Sequence, residues 1–163
     1  MPGYLRLLPI LLALAGLPAH ATKGPNEVAA ARDLKQDGQL AQHKGVPVLI
    51  VFTRPDCAYC DRLIHYYLMP MQRNPDYADT VLIRRLDITS ARKLLDFDGR
   101  PTTESRFAKS LKVAFAPTVM VFTPDGKPAA RPLVGLGPDD YYGGFLDQAI
   151  DTARKKIGVR DNY

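Results

Sequence analysis

Cys57 and Cys60 are the only two cysteines in a chain of 163 residues. They stand in Cys57-Ala58-Tyr59-Cys60, so a bond between them closes a loop that holds only Ala58 and Tyr59. Cross-linking so short a loop removes little unfolded-state entropy, and no third cysteine offers a wider bridge. A structural staple is therefore the weaker use of the pair. The stronger is thiol–disulfide exchange, in which one thiolate attacks a disulfide sulfur and a second thiol resolves the mixed disulfide. Residues three apart on a helix lie on one face, which brings the second thiol within reach of the first.

Other chemistries fit the pair less well. Haem attachment needs histidine directly after the second cysteine, and Asp61 stands there. A structural zinc site needs four ligands, and His43 and His65 are not spaced to join the cysteines. Two thiolates suit copper(I), so a copper-carrying dithiol stays open as a rival. No metal or other cofactor is expected. The formal charge is +5, but lysine and arginine are scattered, with Arg154-Lys155-Lys156 the densest group. No basic tract is interleaved with aromatics, so nucleic-acid binding is not expected.

The elements around the pair explain its placement. Val48–Phe52 is a near-continuous apolar run, as in a strand covered on both faces. Thr53-Arg54-Pro55-Asp56 turns the chain into Cys57. From there Leu63, Ile64, Tyr67, Leu68 and Met71 follow one helical face. Cys60 lies three and four residues before Leu63 and Ile64 and so faces inward, with Cys57 at the helix start, nearer solvent. The first N–H groups of a helix lack intrahelical acceptors, and the dipole adds positive charge there. Both favour Cys57 as the thiolate that attacks. Arg54 and Arg62 act in the same sense, Asp56 and Asp61 against it.

The rest reads as one α/β domain. A first helix is expected over Glu27–Leu40, with Val28, Ala31 and Leu34 inward and Gly38 near its end. Pro70 ends or kinks the helix after the cysteines. Thr80–Ile88 is the next strand, and a strand–helix–strand crossover implies parallel pairing. Asp98-Gly99 marks a small hairpin. Thr103–Leu111 is helical. Pro117–Phe122 and Ala129–Val134 are antiparallel strands joined at Pro124-Asp125-Gly126-Lys127. Tyr142, Phe145, Leu146, Ala149, Ile150 and Ala153 form the stripe of a last helix. Tyr66 and Tyr67 are expected in packing, His65 on the surface, and Arg84-Arg85 at a solvated sheet end, with Arg85 able to face the space beneath the cysteines.

The N-terminus carries a different signal. Arg6, the apolar run Leu7–Leu17 and Ala19-His20-Ala21 form the pattern of a cleaved export leader, so residues 1–21 are assigned to a signal peptide and 22–163 to the folded domain. A spanning helix needs about 20 apolar residues. Export, to the periplasm, is expected.

Taken together, these residues resemble the thioredoxin-like superfamily. The features are the apolar strand before Cys57-Ala58-Tyr59-Cys60, Phe115-Ala116-Pro117-Thr118-Val119 about sixty residues later, Pro124-Asp125-Gly126-Lys127, Gly135 and the final helix. The Asp96–Gly99 excursion and Ser105–Ala116 look most like the exported SoxW-like branch of bacterial thioredoxins. The resemblance implies a thioredoxin-like fold, a central mixed β-sheet flanked by helices. It implies that Cys57 and Cys60 are the catalytic, redox-active pair, that Pro117 is cis and lies against them, and that Tyr59, Ala116 and Pro117 touch substrate. It implies protein substrates bearing thiols or disulfides, a membrane thiol-electron transporter as reductant, and a monomer. Reduction of disulfides is the favoured direction, with oxidase or isomerase as rivals. Three positions depart from the best-known members. Asp56 stands for a tryptophan, Val51 for a buried acid on the central strand, and Ala58-Tyr59 for Gly-Pro. These bear on potential and direction.

Overall fold

The computed structural model describes residues 27–137 and 139–158. The expected leader, residues 1–21, lies outside the described residues. The central strand β1 (Val48–Thr53) is buried at every position. It runs parallel to β2 (Leu82–Asp87) and antiparallel to β5 (Thr118–Phe122), and β5 pairs antiparallel with β6 (Leu133–Val134). The sheet order is β2-β1-β5-β6. Between β2 and β5 the chain makes a hairpin, β3 (Lys93–Leu95) against β4 (Pro101–Thr103), and then α5 (Glu104–Ser110).

Alternation along the strands divides the core in two. Leu49, Val51, Val119 and Val121 pack with Leu63 and Leu68 after the cysteines, and with Tyr142, Leu146, Ala149 and Ile150 of α6 (Asp139–Lys156). Val48, Ile50, Phe52, Met120 and Phe122 point the other way, onto Leu34 and Ala41 of α1 (Leu34–Lys44), Leu94 of the hairpin, and Phe107 and Ala108 of α5. Each fully buried side chain of this size contributes roughly 1.5–3 kcal/mol, so two full layers fix β1 in register.

Several elements differ from the sequence expectation. The helix expected over Glu27–Leu40 begins only at Leu34 and runs to Lys44. Before it the chain is extended along the open edge of β2. The Ala31 N–H donates to the Arg85 carbonyl and the Arg85 N–H to the Ala29 carbonyl, both at 2.8 Å. Val28 enters one core and Ala31 the other. Residues an odd number apart do this on a strand, whereas their three-residue spacing had suggested one helical face. Asp33 starts the helix, its carboxylate accepting the Gln36 N–H at 2.9 Å.

The expected strand Ala129–Val134 shrinks to Leu133–Val134. Pro128 and Pro132 lack N–H groups to donate, so the ladder keeps only a bridge at Phe122–Pro128 and the bond from Ala129 N–H to the Val121 carbonyl. In the last helix Phe145 leaves the expected inward stripe and is exposed, while Tyr142, Leu146, Ala149, Ile150 and Ala153 are buried.

Candidate redox site

The antiparallel register of β1 and β5 sets Phe52 opposite Thr118. Continued by one residue, it places Pro117 opposite Thr53, where β1 turns toward the cysteines. The turn is tight. Asp56 adopts φ 52°, a left-handed conformation that aspartate tolerates better than bulky or β-branched residues. This is the position where the resemblance led to expect tryptophan. The left-handed backbone there was not visible in the spacing.

Cys57 is the N-cap of α2 (Ala58–Leu63), with extended backbone at φ −111° and ψ 91°. Its Sγ accepts the Cys60 backbone N–H at 3.2 Å. The sulfur therefore occupies the place a serine or aspartate oxygen takes in an ordinary cap. A negative sulfur there is held by an otherwise unpaired N–H and by the helix dipole. Cys57 and Cys60 form a disulfide with Cα atoms 5.2 Å apart. Cys57 is 7% exposed and Cys60 2%. The outer and inner sulfur fall as the spacing suggested, although both are buried.

The helix that follows is continuous in direction but not in type. Ile64–Leu68 is a π segment, and α3 (Met69–Arg73) completes it. The Met69 N–H reaches back five residues to the Ile64 carbonyl. Pro70 has no N–H for the Tyr66 carbonyl, and its ring would crowd that carbonyl in a regular α-helix. The wider turn accommodates it. Pro70 thus neither ends the helix nor acts alone; the irregularity spreads over the turn before it.

Tyr59, between the cysteines, is 64% exposed, and Phe115, two residues before Pro117, is 71% exposed. The Ala116–Pro117 bond is cis. The loop that carries it is tied at both ends. Thr118 Oγ1 donates to the Phe115 carbonyl at 2.8 Å, and the Gly135 N–H donates to the Pro117 carbonyl at 2.8 Å. Phe115 is an exposed apolar residue just before the cis bond that the sequence pointed to only as part of a motif. Tyr67 packs on Tyr142, ring centres 5.2 Å apart, as a packing residue should. Tyr66 is exposed instead. His65 is on the surface, its Nδ1 2.8 Å from the Asp61 carbonyl.

The two arginines of β2 separate. Arg85 pairs in register with Val51 and so leaves the sheet on the face that carries α2. Arg84, expected at a solvated end, is mostly buried against α1. Its Nε donates to Asp37 Oδ1 at 2.9 Å and its Nη2 lies 2.6 Å from the same oxygen. The ionic partner is 47 residues away in sequence, which is why pattern alone did not find it.

The family model described as a thioredoxin-like domain matches residues 34–150. No curated protein matches the chain. Among solved structures, a poplar thioredoxin h is 17% identical over 74% of this chain and 96% of its own, with a TM-score of 0.51. Fasciola hepatica thioredoxin is 14% identical over 76% of this chain and 97% of its own, also at 0.51. The periplasmic thioredoxin SoxS from Paracoccus pantotrophus is 23% identical over 66% of this chain and 98% of its own, at 0.45. The chain belongs to the thioredoxin-like family, and with a Cys57–Cys60 disulfide capping the first helix after the central strand it is a thiol–disulfide oxidoreductase.

Proposed function

We propose that the chain is exported to the periplasm and reduces disulfides in protein substrates, as a member of the SoxW-like branch. The observation that carries this reading is the Cys57–Cys60 pair at the helix start, with the outer sulfur set on an unpaired N–H. In the dithiol form the Cys57 thiolate attacks a substrate disulfide. A Cys57–substrate bond forms and one substrate thiolate leaves. Cys60, as thiolate, then attacks Cys57, forming Cys57–Cys60 and releasing the second substrate thiolate. Two electrons pass to the substrate, whose thiolates take protons from solvent. Tyr59, Ala116 and Pro117 form the substrate rim in this proposal, supported by the exposure of Tyr59 and the placement of Pro117 opposite the end of β1. A membrane thiol-electron transporter returns the pair to the dithiol.

The equilibrium potential of the pair against a glutathione series tests the direction. A value near thioredoxin's, about −270 mV, is expected. A value near −120 mV would make the chain a disulfide donor. Replacing Cys60 with alanine should trap mixed disulfides on Cys57; no trapped partner would overturn the assigned roles. Tight stoichiometric copper(I) binding by the dithiol, with no exchange, would replace the enzyme reading by a metal-carrying one.

A further inference from the structure

The β3–β4 hairpin takes no part in the dithiol chemistry, yet it builds the floor of a cavity of about 430 Å³. Arg32, Lys93 and Arg106 stand around it, with Leu95, Pro101 and Thr102 among the other lining residues, and no carboxylate lines it. These cations come from three separate places: the segment before α1, the start of β3 and the first turn of α5. They converge because the Leu95 N–H donates to the Arg32 carbonyl at 3.0 Å and because Thr103 caps α5, its Oγ1 accepting the Arg106 N–H at 3.3 Å. Three nearby arginines outside the lining are paired: Arg92 with Glu104, Arg100 with Asp98, Arg84 with Asp37. No ion pair joins Arg32, Lys93 or Arg106 to an acid of the described residues.

Like charges held together without a counter-charge repel, so this arrangement lowers its energy when an anion arrives. The chemistry of the lining narrows the anion. A small-molecule site fixes one orientation with a few precisely placed polar groups. Here the charges sit on long, exposed side chains, which suit a flexible acidic chain better than one rigid metabolite. The volume holds a few residues, not a folded domain. Half-buried Leu95 and exposed Pro101 add an apolar floor for one side chain. No aromatic ring lines the cavity, so nothing offers a stacking platform for a nucleic-acid base.

We propose that this cavity docks an acidic segment of a protein partner, two or more carboxylates around an apolar side chain. The proposal rests on the reading that the chain exchanges disulfides with proteins, and it names the charge of one class of partner. It predicts a binding site on the sheet face opposite α2, separate from the dithiol.

Equilibrium binding tests it without any redox step. The oxidised full chain is titrated with the acetylated, amidated peptide Glu-Leu-Glu-Glu-Leu-Glu at low salt, and backbone amide shifts are followed by NMR. Shifts should concentrate at 93–95 and 102–106. R32A/K93A/R106A should weaken binding at least tenfold, whereas R73A/R131A/K156A, with the same loss of charge elsewhere, should change it less than threefold. Equal loss in both variants would reduce the effect to net charge and overturn the proposal. Equal binding of the glutamine version of the peptide would do the same. If citrate binds through the same three cations as tightly as the peptide, the site takes a small anion and the docking proposal falls. A single-stranded oligonucleotide that outcompetes the peptide there would likewise sink it. A chain that binds the peptide but exchanges no disulfide removes the enzymatic reading alone; one that exchanges but does not bind removes only the docking site.

Discussion

Under the dithiol helix, Leu49, Val51, Val119 and Val121 meet a core whose buried members are apolar side chains and Tyr142. On the opposite face α1 and α5 bury two acids, Asp37 and Glu104, each against an arginine. One sheet thus carries a face without buried carboxylates and a face held partly by ions. The position where better-known relatives are expected to bury an acid is Val51, on the first face. Among the described residues no aspartate or glutamate is buried there. The charges that the chain does bury serve α1, the hairpin and α5 instead.

Placing an acid on the apolar face is the strongest way to break this contrast. Val51→Asp should cost more than about 3 kcal/mol at pH 7, because the carboxylate would be desolvated with no partner. Burial raises the folded pKa above the unfolded value near 4. The unfolded state then ionises first, so the loss relative to wild type grows as pH rises above about 4 and shrinks below it. Urea unfolding at pH 7 and pH 4 reads this directly. Equal stability of variant and wild type at pH 7 would mean that the face admits charge.

The opposite face can be broken without touching a charge. Phe97, at the tip of the hairpin, stacks near Phe107 and Phe122, with ring centres 6.3 and 5.4 Å away. A Cβ at Gly126 would strike the Phe97 side chain, and one at Gly38 would strike the Pro124 carbonyl. The fit is close on three sides. Phe97→Ala should destabilise by about 3 kcal/mol. Disulfide exchange at 25 °C should stay within a factor of about two, on the scale set by transition-state arithmetic, since the dithiol rests on the other core. A fall in exchange as large as the fall in stability would show the two faces to be coupled.

A smaller effect weighs the ions themselves. Glu104 is fully buried, and its Oε1 lies 3.4 Å from Arg92 Nη1, while its Oε2 has no hydrogen-bond partner among the described residues. Arg92→Ala strips the one partner and should cost about 2 kcal/mol. Adding Glu104→Leu should recover at least half of that, because the orphaned carboxylate goes with it. If the double variant is no more stable than Arg92→Ala, the carboxylate is not the source of the cost. Thermal unfolding of the two single variants and the double variant closes this cycle.

How far each face could be read beforehand follows from what holds it. Val48–Phe52 announced itself because a strand buried on both sides has no polar interruptions. The cysteines announced their placement because chemistry and helix geometry demand the same spacing. The edge segment at 27–33 did not, since Val28, Ala31 and Leu34 suit a helix as well as a strand that alternates between two cores. Arg84 read as solvent-facing because its partner Asp37 belongs to another element. The π segment needed the backbone, as Pro70 alone predicts a disturbance but not its form. The basic cavity was illegible for the same reason: Arg32, Lys93 and Arg106 are far apart in sequence and meet only once the hairpin is folded.

The apolar face does own one titratable tie, at its solvent edge. Tyr77, in the short helix α4 (Pro75–Ala78), donates its hydroxyl to Asp147 of α6 at 2.7 Å. That bond, together with burial and the nearby carboxylates, lifts its pKa from the usual 10 to about 12. Folding therefore keeps a proton that the unfolded chain loses first. The stability this gives is complete below pH 10 and disappears as pH rises through about 12. The site is partly solvated, so its worth is under about 1 kcal/mol after screening. Tyr77→Phe should lose that amount at pH 8, and the gap should have largely closed at pH 12, where the folded wild-type tyrosine is half ionised. Urea midpoints at the two pH values measure the difference. A gap that widens with pH would mean that the Tyr77–Asp147 bond is not what ties α4 to α6.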